Sequence, residues 1–383
     1  MNPGMRTRVV LAVLTLVVGT LPVEQLSSAS VDFDIIDLGT LGGRSSQVFA
    51  INSRGQIVGV SATASGDDHA FLWQDGTMID LGTLGGESSV AEAINDGGQI
   101  VGSSLTASGD RHAFLWQDGT MIDLGTLGGT YSLATGINAR GQVAGESETA
   151  PGQFDAFLWQ HGTMSDLGTL GGNSFSVAIN DRGQVVGVSG TAPGNHLAFL
   201  WQDGSMINLG TLGGDFSVAL AINERGQVIG NSTTPSGEGH AFLWQHGAMI
   251  DLGTLSGTGS SANAINARGQ VAGEIETAPG EFHAFLWQNG TMNDLGTLNG
   301  PPIAHARVLA INARGQVVGM SDGPLGRSHG FLWQQGRLID LGALAGSYSG
   351  AEAINARGQI VGFSETASGE VHAVLWTKRN GQD

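Results

Sequence analysis

The sequence has no cysteine. That removes disulfide frameworks, thiolate zinc sites and cysteine nucleophiles together. Basic residues are scarce: 16 Lys and Arg stand against 34 Asp and Glu, a formal net charge of −18 over 383 residues. Such a chain lacks the basic footprint that nucleic acid requires. Its overall charge also argues against electrostatic docking on anionic lipid. Charged residues are only 13% against 40% hydrophobic, too apolar a balance for a disordered acidic tail. After Leu21 no second long apolar stretch occurs, so no membrane span is expected in the remainder.

The single apolar stretch lies at the start. Arg6 and Arg8 precede Val9–Leu21, Pro22 breaks the run, and Ser27-Ser28-Ala29-Ser30 supplies small residues. Basic start, short apolar core and small-residue exit are the parts of a secretory signal. Residues 1–29 are expected to be a cleaved signal peptide, leaving a secreted or periplasmic protein. A propeller is expected over residues 31–376 and a short tail over 377–383.

Glycine is abundant, at 63 residues, with no every-third-residue spacing, so the glycines belong to turns. A repeat explains them. Asp-Leu-Gly recurs from Asp37, with Asn208 replacing Asp once, at spacings of 43, 43, 43, 42, 43, 43 and 46 residues. Ile-Asn-x-x-Gly-Gln recurs from Ile51, and Leu-Trp ends each copy's third segment, from Trp73 to Trp376. The 8 Trp residues all fall at that position. This is duplication of one structural unit.

Each unit reads as four short strands. In the second copy these are Val90–Asn95, Gln99–Ser103, His112–Gln117 and Thr120–Gly125. Asn95-Asp96-Gly97-Gly98 supplies one turn, and Asp118-Gly119 is a strong two-residue hairpin signal. Phe114 and Trp116 alternate with Ala113 and Leu115, so both faces are apolar. Two-sided burial of short strands predicts the stacked blades of a propeller.

The ends of the chain predict closure. The last copy stops at Trp376 with no Asp-Leu-Gly strand, while Val31–Gly39 is such a strand with no Leu-Trp strand before it. Pairing them completes a final blade and leaves no open edge. The expected fold is all-β: an eight-bladed β-propeller of four-stranded blades, the last closed by the N-terminal strand.

The units resemble the HAF repeats of bacterial extracellular proteins. His69-Ala70-Phe71, His112-Ala113-Phe114, His240-Ala241-Phe242 and His283-Ala284-Phe285 carry the resemblance, which spans the mature chain. Asp155-Ala156-Phe157, Leu197-Ala198-Phe199, His329-Gly330-Phe331 and His372-Ala373-Val374 depart from it. The resemblance implies export and repetition, and no particular activity.

No phosphate loop, nucleophile elbow or calcium loop is present. The repeated His and Asp residues are expected to serve backbone groups at strand ends rather than a metal or catalysis. No catalytic residue, metal or cofactor is expected. Variation concentrates in the loops after Thr-Leu-Gly-Gly, where binding usually sits on a fixed scaffold. Tyr131, Phe175, Phe216, Tyr348 and His305 are the candidate ligand contacts. The resulting expectation is a non-enzymatic secreted binding or scaffold protein, a monomer, with a protein or glycan surface as partner. Two alternatives are a hydrolase or lyase using His305, Arg307 and Asp322 of the irregular seventh copy, and a purely structural adhesion role.

Overall fold

A computed structural model describes residues 33–191, 194–298, 304–323 and 326–379. The expected signal peptide and most of the seventh copy's long loop lie outside them.

Each copy folds as one antiparallel four-stranded sheet, and there are eight such sheets. In the second copy the strands are Gly85–Ile94, Ile100–Thr106, Arg111–Gln117 and Thr120–Asp123, in that spatial order. The first strand of every sheet touches the first strands of both neighbours, cyclically around the whole set. First strands therefore surround an axis and fourth strands lie outside. This is the expected propeller.

Local chemistry sets each turn. Between third and fourth strands, Asp75 and Gly76 take φ of 51° and 80°, the left-handed pair that a two-residue type I′ hairpin needs. Between first and second strands, the first strand bulges at Val48/Ala50 opposite Gly59. A Cβ on Gly59 would fall on the carbonyl of Gln47, so the bulge requires glycine there.

The core lies between blades. Val58, Ala70 and Leu72 of the first blade pack against Ala91, Ile100 and Phe114 of the second. The same junction repeats around the ring, and the third-strand Phe114 is fully buried. At roughly 2 kcal/mol per buried large side chain, these junctions are the main stabilising term.

Closure follows the expected offset. Phe33–Asp37 pairs antiparallel with Val371–Lys378, in a register running from Phe33↔Lys378 to Asp37↔Val374. Asp37 meets Val374 as Asp80 meets Phe71 inside a continuous blade.

A second device holds the ring. Asn52 Nδ2 donates to the carbonyl of Asn95 at 3.1 Å, Asn95 to that of Asn138 at 3.0 Å, and so on around the axis. The last link runs from Asn355 to the carbonyl of Asn52, 3.0 Å across the seam. Each of these asparagines is buried, and its Oδ1 accepts the N–H of the glutamine four residues on. The motif Ile-Asn-x-x-Gly-Gln thus forms a closed asparagine girdle as well as a turn.

Candidate functional site at the axial mouth

The two faces of the ring differ. The upper face carries the Thr-Leu-Gly-Gly loops and the start of every third strand. The lower face carries the Asn-x-x-Gly turns and the two-residue hairpins.

On the upper face the repeated histidines pair with the repeated aspartates. His69 Nδ1 lies 2.9 Å from Asp80, and the same bond joins His112 to Asp123, His240 to Asp251, His283 to Asp294 and His329 to Asp340. His372 bonds Asp37 across the seam at 3.0 Å. The expectation that these histidines bond turn backbone is corrected: each ties the third strand to the fourth through a carboxylate. The same aspartates also accept the N–H two residues on, as Asp80 does from Gly82.

Two blades depart from this pairing, the fourth in both partners and the third in the histidine alone. In the fourth blade Leu197 stands where His would be, and Asn208 replaces Asp. In the third blade Asp155 faces Asp166. Burial, together with the charge of Asp166, pushes the Asp155 carboxyl up to about 6.

The channel wall is where the blades differ most. The first strands present Glu92, Thr135, Val177, Leu220, Asn263 and Glu352 at one level. Burial raises the carboxyls of Glu92 and Glu352 above the usual range, with Arg307 opposing the rise at Glu352. Glu274 is raised by burial against the pull of Arg307, whose Nε lies 3.9 Å away, and its carboxylate accepts from Asn263 Nδ2 at 3.0 Å. Burial also raises Glu146, which hydrogen-bonds Tyr131.

Of the candidate aromatics, two come together. The Tyr131 and Phe175 rings both pack on Phe154, at 5.7 Å edge-on and 6.1 Å stacked. Phe175 reaches the wall because the loop before Ser174 is one residue shorter than in other copies, which moves it off the rim. His305 stacks on Phe282 at 5.7 Å. Asp322 caps the same loop: it accepts the His305 N–H at 3.1 Å and the Ser328 hydroxyl at 2.7 Å. Arg307 instead faces the channel. Phe216 and Tyr348 stay well exposed at the rim, on separate blades.

Tyr348 marks a cavity the sequence did not single out. Its ring tilts over Phe363, centroids 5.1 Å apart, at the seam between the last blade and the first. The cavity is about 370 Å³, walled by Tyr348, Phe363, Val371 and Val60, with Gln47 and Asp68 at its edge. Gly350 makes room for it. A Cβ at that position would lie 2.5 Å from the Phe363 ring, so only glycine lets the ring settle there. Every other blade has a side chain at this channel position, from Gln47 to Arg307.

The lower face is nearly uniform. Seven of the eight axial turns carry an exposed arginine: Arg54, Arg140, Arg182, Arg225, Arg268, Arg314 and Arg357, with Gly97 in the remaining place. Each arginine's turn is anchored on the girdle, as where Asn52 Oδ1 accepts the Arg54 N–H. Among the described residues none of the seven pairs with a carboxylate.

No family model matches the chain, and no curated protein is similar to it. Solved structures do resemble it. A puromycin-hydrolysing peptidase of Mycobacterium tuberculosis matches with a TM-score of 0.51 at 14% identity, over 84% of this chain and 57% of that one. Dipeptidyl peptidase 4 of Porphyromonas gingivalis matches with a TM-score of 0.54 at 10% identity, over 87% of this chain and 58% of that one. This chain thus spans somewhat over half the length of each, and at these identities the likeness shows the fold alone.

The comparison nevertheless corrects the expectation of a non-enzymatic binding or scaffold protein. Both of these solved chains are peptidases, and the match covers little more than half of each. The physical reason is simple. A propeller can serve hydrolysis without holding the nucleophile, so the missing catalytic set in the repeats does not by itself exclude a role in an enzyme.

Proposed function

We propose that this ring is the propeller of a peptidase system, receiving peptide at its upper mouth while a catalytic unit outside the ring cuts it. The segment over 1–29 supports placing it outside the cytoplasm. The observation that carries the reading is the asymmetry of the upper mouth. An eightfold frame has no structural need for the aromatic-walled cavity at the seam, nor for glutamates at some wall positions and leucine or valine at others. A cavity with an aromatic and aliphatic wall and the Asp68 carboxylate at its edge suits a peptide, which offers an apolar side chain and a cationic amine close together.

The test is titration of the purified chain with short peptides carrying a free amino terminus, followed by calorimetry. Peptides with a large apolar residue should bind, acetylation of the amine should weaken them, and Tyr348→Ala should weaken them further with unchanged melting. Tyr348 is exposed, so its loss leaves the fold intact. If no peptide of two to ten residues binds, the reading fails.

A further inference from the structure

The overall charge of −18 conceals a separation between faces. Most of the acids sit on the upper face: the Asp-Leu-Gly aspartates and the acidic loops such as Asp67-Asp68 and Glu365. The lower face carries the seven axial arginines, with Arg337 and Lys378 farther out and Arg379 paired with Asp34 at 2.6 Å. Its acids are fewer: Asp34, Asp75, Asp96, Asp118, Asp181, Asp203 and Glu224. Asp96, Asp181 and Glu224 are engaged with backbone N–H groups of neighbouring turns, and Asp34 with Arg379.

The faces are electrically independent. Second strands of six to eight residues run between them, which sets the ring about 20 Å tall. The screening length at physiological salt is about 8 Å. An object touching the lower face therefore meets the arginines and is shielded from the acids above.

The lower face also repeats one depression between blades. In the fifth-to-sixth junction it is about 370 Å³ and is lined by Gln227, Gln245, Arg268, Gln270 and Trp287. The third-to-fourth junction repeats it with Gln142, Gln160, Arg182, Gln184 and Trp201, at about 440 Å³, with the Asp203 carboxylate at its edge where the fifth-to-sixth junction has the neutral Asn289. The junction that includes Arg314 and Trp333 is larger, about 460 Å³. The glutamine amides are locked: Gln227 Nε2 donates to Gln245 Oε1 at 2.7 Å, and Gln142 to Gln160 at 2.8 Å. Each depression thus offers a guanidinium, fixed amides and a half-buried indole.

From this we infer that the lower face docks on an anionic phospholipid membrane. Guanidinium forks suit phosphate oxygens. Tryptophan is the side chain that favours the boundary between headgroups and acyl chains. Equivalent depressions in one plane, reached by turns of equal length, need a partner that presents many equivalent anions in a plane. A headgroup layer does this, and the irregular surface of an acidic protein does not. The inference is independent of the peptide reading, since it uses no residue of the upper mouth.

The test is flotation of the mature chain with vesicles of phosphatidylcholine, with and without 30% phosphatidylglycerol. Binding should need the anionic lipid and disappear at 0.5 M salt. Arg268→Gln and Arg314→Gln should each weaken it roughly fivefold. Arg44→Gln, on the upper face, should leave it unchanged, and equal melting temperatures should show that the variants fold. Three results would overturn the inference: no binding to the anionic vesicles, equal weakening by Arg44→Gln, or capture of soluble polyglutamate by a chain that ignores the vesicles.

Discussion

The third blade gives a clean test of how the upper face is held. Asp155 and Asp166 meet where six other blades place a histidine beside an aspartate. An ordinary aspartate titrates near 3.8, and Asp155 is pushed up to about 6. The folded chain therefore holds this proton more tightly than the unfolded chain does. The stability it lends is complete below about 3.8 and is lost as pH rises through about 6. Two pKa units correspond to at most about 3 kcal/mol. The pair is half open to solvent, and screening reduces the figure to about 1 kcal/mol. Asp155→Asn keeps the shape, donates its amide to Asp166 and never carries charge. At pH 8 the variant should be more stable by about 1 kcal/mol, a rise of about 2 °C in melting temperature for a ring of this size. At pH 4 the two proteins should melt together. Scanning calorimetry at both pH values decides the matter. An advantage that is equal at pH 4 and pH 8, or absent at both, refutes the raised Asp155 pKa.

Two further predictions concern the seam. Asn355→Ala removes the girdle bond to Asn52 and strips the Arg357 and Gln359 N–H groups of their acceptor; it should cost about 3 kcal/mol in urea unfolding, and a cost below about 1 would show the girdle to be incidental. Removing Val31–Gly39 takes away the closing strand with buried Phe33 and Leu38, worth about 4 kcal/mol together; melting should fall sharply, and unchanged melting would mean the ring does not depend on that closure.

Much of this architecture is legible in the residues. The Asp-Gly hairpins, the two-faced burial and the offset seam follow from local turn chemistry and from a surplus strand at one end matching a deficit at the other. What escaped depends on neighbours in space. The asparagines read as turn residues because their second role requires the next blade. The His–Asp pairs left a trace, since Leu197 and Asn208 change in one copy, yet each departure alone looks like drift. Phe175 sat one position off because the loop before it is a residue short. Total charge hid the basic lower face, although every Asn-x-Arg-Gly turn was in plain view. The likeness to the propellers of solved peptidases was not legible at all, because it is one of fold at 10% to 14% identity.

The seam has a consequence in time. His372 and Asp37 are partners 335 residues apart. At ordinary synthesis rates of 5–20 residues per second, the opening strand waits roughly 20 to 70 s for its partner to exist. Throughout that interval the nascent chain carries an unpaired edge at one end and a growing stack of blades at the other. The length of that exposed period is thus set by ribosome speed, and the five residues Phe33–Asp37 are the edge left waiting until the last strand arrives.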